Sequence, residues 1–172
     1  MSICLFGGTF DPIHIGHLIL AEGVINEVDS VNEIIFIPAA NPPHKDSDEY
    51  SYFEHRVKMV KRAISDNDKF SVNDIENRLE GKSFSIHTIN YFRDEYSLSS
   101  DELFFLIGED SLNELDTWKA PQQIVSRSRV LVARRGKTNS QKYTGYKKNV
   151  RFLDNIPYVD ISATMIRKKI RQ

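Results

Sequence analysis

Six short runs of β-branched and aromatic residues alternate along the chain with longer stretches in which apolar residues recur every three or four positions. The short runs cover residues 3–6, 33–37, 70–74, 102–107, 129–133 and 150–153, and several are almost continuously apolar, as in parallel strands covered on both faces. The stretches with helical spacing cover residues 15–28, 52–64, 86–96, 112–115, 122–126 and 163–170. This alternation predicts an α/β fold, a single doubly wound (Rossmann-like) parallel sheet with helices on both faces and right-handed crossovers.

The composition excludes several classes of protein. A length of 172 residues predicts one domain over residues 1–172. The 23 basic and 24 acidic residues leave a net charge of −1, which argues against a nucleic-acid partner. No apolar run reaches the roughly 18 residues of a membrane span, so we expect no membrane partner. Because Cys4 is the only cysteine and the first residues do not resemble a leader, we expect a cytoplasmic protein without a multi-cysteine metal site.

The densest cluster of candidate residues follows the first predicted strand and reads Gly7-Gly8-Thr9-Phe10-Asp11-Pro12-Ile13-His14-Ile15-Gly16-His17. Two glycines after a strand let the backbone approach a phosphate closely, and the helix N-terminus that follows adds N–H donors and a favourable dipole. His14 and His17 are one helical turn apart, so both imidazoles can donate hydrogen bonds to phosphoryl oxygens as negative charge develops. The spacing matches neither a P-loop nor a Gly-x-Gly-x-x-Gly fingerprint.

Two other interpretations of these histidines stay open. They could be surface residues of a tight turn. Alternatively, His14, His17 and His44 could bind a metal, although no clear carboxylate completes such a site.

A second motif, Pro38-Ala39-Ala40-Asn41-Pro42-Pro43-His44-Lys45, follows the second predicted strand. Prolines fix the backbone as it leaves the sheet, which directs His44 and Lys45 toward the edge where the first motif lies. A lysine there is a suitable charge partner for a polyphosphate. The alternative is a proline-rich loop with one solvated lysine.

The next candidates lie at helix starts or strand ends in the middle of the chain. Ser83 or Ser85 is expected to cap the helix that follows it. Gly108 ends a strongly apolar run and permits close approach of a ligand, while Asp110 could accept hydrogen bonds from ribose hydroxyls or cap a helix. Trp118 offers a flat surface to an aromatic ligand, or it fills part of the core.

The last predicted helix begins with a further group of polar residues. Ser162 and Thr164 precede or open it, and Arg167 lies one turn further on. Free N–H groups, hydroxyls and a guanidinium at a helix N-terminus suit phosphate groups, whereas the simpler interpretation is a capped basic helix.

In this order, the motifs resemble those of the nucleotidyltransferase superfamily that shares its His-x-Gly-His sequence with class I aminoacyl-tRNA synthetases. The best match within it is the family of bacterial nicotinate-nucleotide adenylyltransferases. The matching segments are residues 7–17, Pro42-Pro43-His44-Lys45, Gly108-x-Asp110 with Trp118, and residues 161–167. His87 departs from the pattern, since that family usually has aspartate there.

The resemblance implies transfer of AMP from ATP to nicotinate mononucleotide, which yields deamido-NAD and pyrophosphate, with Mg²⁺ held mainly by the substrate phosphates and no protein metal ligands. Its implied catalytic residues are His14, His17 and Lys45. Its implied ATP-binding residues are Gly8, Thr9, Phe10, Gly108, Asp110, Ser162, Thr164 and Arg167. Its implied residues for binding nicotinate mononucleotide are Asn41, His44, Ser85, Trp118 and Arg135. The resemblance leaves open whether the protein forms a homo-oligomer.

Three alternatives accompany this hypothesis. Pantetheine-phosphate adenylyltransferases and cytidylyltransferases share the first motif, though not the whole set. A non-catalytic nucleotide-sensing module could keep the site without turnover. A nucleic-acid role would depend on the basic stretch 142–151, a type of run that is usually a solvated loop. The length excludes an aminoacyl-tRNA synthetase.

Overall fold

The computed structural model describes residues 1–43, 50–134 and 149–172. Its strands are β1 (Ser2–Gly8), β2 (Val31–Pro38), β3 (Phe70–Val72), β4 (Leu103–Gly108), β5 (Arg129–Ala133) and β6 (Val150–Leu153). They form one sheet in the order β3-β2-β1-β4-β5-β6, and every neighbouring pair is parallel. This is a doubly wound order in which the chain changes direction between β1 and β4. The predicted fold class is therefore confirmed.

The helices lie on both faces of this sheet. They are α1 (Ile15–Glu27), α2 (Phe53–Ala63), α3 (Ser85–Glu95), α4 (Glu109–Glu114), α5 (Pro121–Arg127) and α6 (Ala163–Ile170), with short 3₁₀ turns at Ile75–Asn77 and Leu115–Thr117. Buried residues of α1 and α2 pack on one face, and those of α3, α4 and α5 pack on the other. The described residues contain no helix with the length and hydrophobicity needed to cross a bilayer.

The strands separate two hydrophobic clusters because successive side chains alternate between the faces of a sheet. In β1, Ile3 and Leu5 belong to the cluster beneath α3 and α5, whereas Cys4 and Phe6 belong to the cluster beneath α1. Both faces of the central strands are thus covered, and this explains their nearly continuous apolar sequence.

Several boundaries differ from those expected. β1 continues through Gly7 and Gly8, which pair with Ile37 and Pro38 of β2, so the glycines end the strand rather than follow it. α4 begins at Glu109, directly after β4, and is extended by the 3₁₀ turn. The predicted loop at residues 135–148 lies outside the described residues.

Candidate active site

Two cavities open side by side above the carboxyl ends of β1 and β4, where ligands bind in sheets of this order. The histidine cavity has a volume of about 320 Å³, and its wall includes His14, His17, Asp110, Ser162 and Arg167. The tryptophan cavity has a volume of about 260 Å³, and its wall includes Glu76, Phe84, Ser85, Trp118 and Lys119. The two share Phe6, Thr9, Gly108 and Ser111. A molecule that occupies both would therefore pass over the ends of these two strands.

The two histidines are held together at the N-terminus of α1. His14 caps the helix with an extended backbone (φ −146°, ψ 168°). Its backbone N–H donates to Nδ1 of His17 at 3.2 Å, and the two rings stack with centroids 3.7 Å apart. Because Nδ1 of His17 accepts this hydrogen bond, the neutral ring carries its proton on Nε2. His17 is thus positioned as a hydrogen-bond donor in the wall of the histidine cavity.

Phe10 supports His17 from within the core. The Phe10 side chain is buried, and its ring meets that of His17 edge-on at a centroid distance of 5.1 Å. Its backbone is left-handed, with φ +49°. We expected Phe10 to contribute backbone groups to phosphate binding, and its side chain adds a packing role that the sequence did not indicate.

Three glycines of the motifs differ in the space that surrounds them. A Cβ on Gly8 would lie 2.9 Å from the ring of Phe10, and one on Gly16 would lie 3.1 Å from Nδ1 of His14. At Gly8 the buried Phe10 ring would have to move, whereas at Gly16 the neighbouring side chains would have to shift by a few tenths of an ångström. At Gly108 a Cβ would meet no described atom within 4 Å, so that space is available to a ligand.

The start of α6 closes the histidine cavity from the opposite side. Oγ of Ser162 accepts a hydrogen bond from the backbone N–H of Met165 at 3.2 Å and so caps the helix. Arg167 donates to the carbonyl of Asp11 at 2.7 Å. Thr164 faces Arg167, with Oγ1 3.5 Å from Nη2, and lies outside the cavity wall. Arg167 thus links the last helix to the first motif across 156 residues of sequence.

The tryptophan cavity has a largely apolar wall that includes the rings of Phe84, Phe105 and Trp118. Trp118 meets Phe105 edge-on at a centroid distance of 6.3 Å, and Nζ of Lys119 lies over the ring of Phe84 at 4.7 Å. Ser85, the first residue of α3, is part of the wall. His87, the residue that departs from the family pattern, is not.

The expected serine cap of α3 is wrong. Phe84 occupies the N-cap position and makes no side-chain capping bond. Oγ of Ser83 instead accepts a hydrogen bond from the backbone N–H of Asn41 at 2.9 Å. Asn41 therefore ties the segment after β2 to the segment before α3, and its side chain reaches Gly81 rather than the cavity wall.

Arg56 is a buried residue that the sequence analysis missed. It is fully buried, and its guanidinium donates to the carbonyls of Thr9 at 2.7 Å and Ser51 at 2.9 Å. Burial lowers the pKa of Arg56, and the charge of Asp11 opposes this effect. One feature of the sequence could have indicated that Arg56 is buried. It lies four residues before Val60 and therefore on the buried side of α2. Arg56 thus holds the backbone of the first motif through the carbonyl of Thr9.

Glu76 is a second missed residue. It is buried in the wall of the tryptophan cavity, and the hydroxyl of Thr88 donates to its Oε1 at 2.9 Å. Burial raises the pKa of the Glu76 carboxyl. The burial of Glu76 and its hydrogen bond with Thr88 depend on the fold, and the spacing of apolar and polar residues along the chain does not predict them.

Three expected site residues, His44, Lys45 and Arg135, lie outside the described residues, so their roles stay predictions. Because His44 is one of them, the hypothesis that His14, His17 and His44 bind a metal is also untested. Within residues 1–43, 50–134 and 149–172, no three His, Cys, Asp or Glu side chains form a group that could hold a metal ion.

Comparison with known proteins identifies the family. A family model described as cytidylyltransferase-like matches residues 5–169. The chain is 38% identical over 179 residues to the probable nicotinate-nucleotide adenylyltransferase of Caldicellulosiruptor bescii, covering 100% of this chain and 88% of the relative. It is 39% identical to that of Clostridium tetani, covering 98% and 86%. The chain belongs to the cytidylyltransferase-like family, among its nicotinate-nucleotide adenylyltransferases.

Solved structures share the fold. Nicotinic acid mononucleotide adenylyltransferase of Plasmodium falciparum, complexed with NaAD, superposes with a TM-score of 0.77 at 20% identity, over 97% of this chain and 82% of that one. The same protein complexed with APC gives a TM-score of 0.74. The family model and the sequence relatives thus confirm the family resemblance drawn from the motifs, and the solved structures confirm the fold.

Proposed function

We propose that this chain transfers AMP from ATP to nicotinate mononucleotide and releases deamido-NAD and pyrophosphate. The observation that carries the proposal is the pair of cavities that meet at Thr9 and Gly108, with His17 in one wall and Trp118 in the other. One cavity offers hydrogen-bond donors to phosphates, and the other offers a flat aromatic surface to a ring. An adenylyl transfer to a pyridine nucleotide requires both, side by side.

The chemistry needs positioning and charge stabilisation rather than a nucleophilic side chain. An oxygen of the 5′-phosphate of nicotinate mononucleotide forms a bond to the α-phosphorus of ATP. The bond from that phosphorus to the bridging oxygen breaks in line, and its electron pair leaves with pyrophosphate. No covalent enzyme intermediate forms. Negative charge grows on the α-phosphoryl oxygens, where donors held in place by the protein stabilise it.

His14 and His17 are assigned to the transferring phosphate, because both lie in the wall of the histidine cavity at a helix N-terminus. Lys45 would neutralise charge, and the backbone of Gly8, Thr9 and Phe10 would contact phosphate oxygens. Ser162, Thr164 and Arg167 are assigned to the leaving pyrophosphate. For Thr164 this assignment acts through Arg167, which its hydroxyl faces.

The remaining assignments divide between the two nucleosides. Gly108 and Asp110 are assigned to the adenosine, since both lie in the histidine cavity at the end of β4. Ser85 and Trp118 are assigned to the nicotinate ring, with Asn41, His44 and Arg135 as further contacts of nicotinate mononucleotide. The hydrogen bonds of Asn41 support an indirect role, because they hold Ser83 close to this cavity.

Mg²⁺ is part of the proposal as a cation bound mainly through substrate phosphates. The described residues offer no cage of three acidic or histidine ligands. Mg²⁺ keeps several waters and binds readily through phosphates, so the proposal needs no cage of protein ligands. When bound, it would neutralise charge on the phosphate oxygens. We further propose a cytoplasmic location without a membrane or nucleic-acid partner.

Pyrophosphate release tests the function. The protein is incubated with ATP and Mg²⁺ and with nicotinate mononucleotide, nicotinamide mononucleotide or phosphopantetheine in parallel. We expect the fastest release with nicotinate mononucleotide. Pyrophosphate release with phosphopantetheine alone would assign a different adenylyltransferase activity to the chain. ATP binding without pyrophosphate release in the presence of any acceptor would indicate a sensing module.

A further inference from the structure

We propose that the ammonium group of Lys119 selects the acid form of the pyridine nucleotide by pairing with the carboxylate on its ring. The inference rests on the proposed function and concerns the acceptor end of the same site. It assigns to a side chain the discrimination between two substrates that differ only in a carboxylate and a neutral amide.

Lys119 is in the right place for this role. It follows Trp118 directly, and both residues lie in the wall of the tryptophan cavity together with Phe84. Nζ of Lys119 lies 4.7 Å from the centroid of the Phe84 ring, a distance typical of a cation–π contact. The positive charge is thus held against one aromatic wall of the cavity, next to the tryptophan.

The backbone around Lys119 is anchored on both sides. The N–H of Trp118 donates to the carbonyl of Leu115 at 3.0 Å. On the other side, Ala120 adopts a left-handed conformation with φ +54°, and its carbonyl accepts from the N–H of Ile124 at 3.2 Å. A non-glycine residue in this conformation is uncommon and is held there by its surroundings. The lysine side chain therefore extends from a fixed point, and only its own torsions need to change to reach a ligand.

Within the described part of the wall, Lys119 is the cation that can meet a carboxylate on the substrate ring. Among the described residues of the wall, the charged side chains are Glu76 and Lys119. Burial raises the pKa of Glu76, although hydrogen bonds from Ser83, Thr88 and the Ala40 backbone and the charge of Arg56 oppose this effect, so desolvation outweighs these partners. A second carboxylate, on the substrate ring, would meet the same unfavourable surroundings unless a cation compensates it. A neutral amide needs no such partner, so Lys119 favours the acid selectively.

The contact with Phe84 does not compete strongly with a substrate. An exposed cation–π contact is weak, whereas an ammonium–carboxylate hydrogen bond is among the stronger polar interactions. Lys119 is itself exposed, so solvent reduces the gain from pairing. We therefore expect discrimination of about tenfold, at the lower end of the effect of a hydrogen bond to a charged group.

The test measures kcat/KM for nicotinate mononucleotide and for nicotinamide mononucleotide in the wild type, Lys119→Met and Lys119→Arg. Methionine keeps an apolar stem over Phe84 and removes the charge. We expect Lys119→Met to lower the acid-to-amide ratio about tenfold, through a higher KM for the acid, with the KM for ATP unchanged. Lys119→Arg should keep the ratio within about twofold of the wild type, because the charge is retained.

Lys69→Met is the matched control, because it removes one exposed lysine at the opposite end of the sheet, just before β3. We expect it to leave the ratio unchanged. A Lys119→Met enzyme with the wild-type ratio, or one that loses equal activity on both acceptors, overturns the role of Lys119 while the function stands. A wild type that turns over neither pyridine nucleotide overturns the proposed function itself.

Discussion

The histidine cavity and the tryptophan cavity share the ends of β1 and β4, but they are assembled in different ways. The histidine cavity is lined largely by two segments, residues 9–17 and residues 157–167, which Arg167 joins through the carbonyl of Asp11. The tryptophan cavity collects short runs from more segments, among them residues 6–9, 83–85, 105–108 and 117–119. The wall of the tryptophan cavity is the more apolar of the two, whereas the wall of the histidine cavity carries His14, His17 and Arg167.

This difference indicates a division of labour. Donors that stabilise a changing charge must be held rigidly, which a helix N-terminus and a crowded glycine-rich turn provide. A ring needs only a flat surface and a charge of the right sign. We therefore expect damage in the histidine cavity to lower turnover with every acceptor, and damage in the tryptophan cavity to change the affinity for the acceptor alone.

The largest expected effect comes from His17→Ala. Removing a donor aimed at developing charge costs about 10²–10³-fold in kcat. We expect a loss of this size with both pyridine nucleotides in a protein that still folds. The melting temperature should fall by only about 2–4 °C, because the His14 backbone N–H loses its acceptor at a cost of about 1 kcal/mol. His55→Ala, at an exposed histidine on α2, serves as the matched control with near-normal turnover. Turnover of His17→Ala close to the wild-type rate would remove the histidine pair from the mechanism.

The same contrast explains how much of the molecule could be predicted. Strand runs and helical spacing are local patterns, and they predicted the order of strands and helices along the chain and a doubly wound parallel sheet. The position at which the sheet changes direction, between β1 and β4, came from the structure. His14, Gly16 and His17 lie in one wall for a similarly local reason, since they fall within four positions of the sequence, and their roles stay predictions. Arg56 and Glu76 were not foreseen, because their roles arise from burial and from contacts with distant residues.

Glycine positions show where a local pattern predicts the residue but not the reason. Gly8 was expected to make room for a phosphate, yet in the structure it first makes room for the Phe10 ring. That contact depends on the left-handed turn at Phe10, which places the ring back against the strand. At Gly108 the open space agrees with the expected approach of a ligand.

Gly108→Ala tests the wall that both cavities share. The backbone there (φ −80°, ψ 161°) suits alanine, and the added Cβ meets no described atom within 4 Å. We expect unchanged stability with a loss of about 10–100-fold in kcat/KM, since a substrate displaced by an ångström reacts far more slowly. Gly8→Ala should instead lower the unfolding free energy by about 1–3 kcal/mol through overpacking against Phe10. Thermal unfolding and steady-state kinetics of both variants distinguish a glycine needed for packing, Gly8, from one that leaves space for a ligand, Gly108. A destabilised Gly108→Ala variant would contradict this distinction.

Trp118→Ala affects only the tryptophan cavity. Stacking of an aromatic side chain on a base contributes roughly 1–3 kcal/mol, so we expect the KM for nicotinate mononucleotide to rise about tenfold or more. The KM for ATP should stay within about twofold, and Trp118→Phe should recover part of the loss because a smaller ring remains. Initial rates over a grid of both substrate concentrations measure the two constants. An equal rise in both would show that the cavities do not act separately.

The smallest expected effect concerns the charge of Glu76 and appears in stability. Burial raises the pKa of this carboxyl in the folded protein above its ordinary value of 4.5. The folded chain therefore binds the proton more tightly than the unfolded chain, and ionisation of Glu76 lowers the unfolding free energy as the pH rises from about 4.5 to the raised pKa. Glu76→Gln stays neutral and keeps an acceptor for the hydroxyl of Thr88, so it should gain stability relative to the wild type across this window. Urea unfolding at a series of pH values, with the exposed Glu80→Gln as control, measures the difference. A Glu76→Gln difference that does not change with pH would show that the charge carries no cost in this wall, and the tryptophan cavity would then have less need of Lys119.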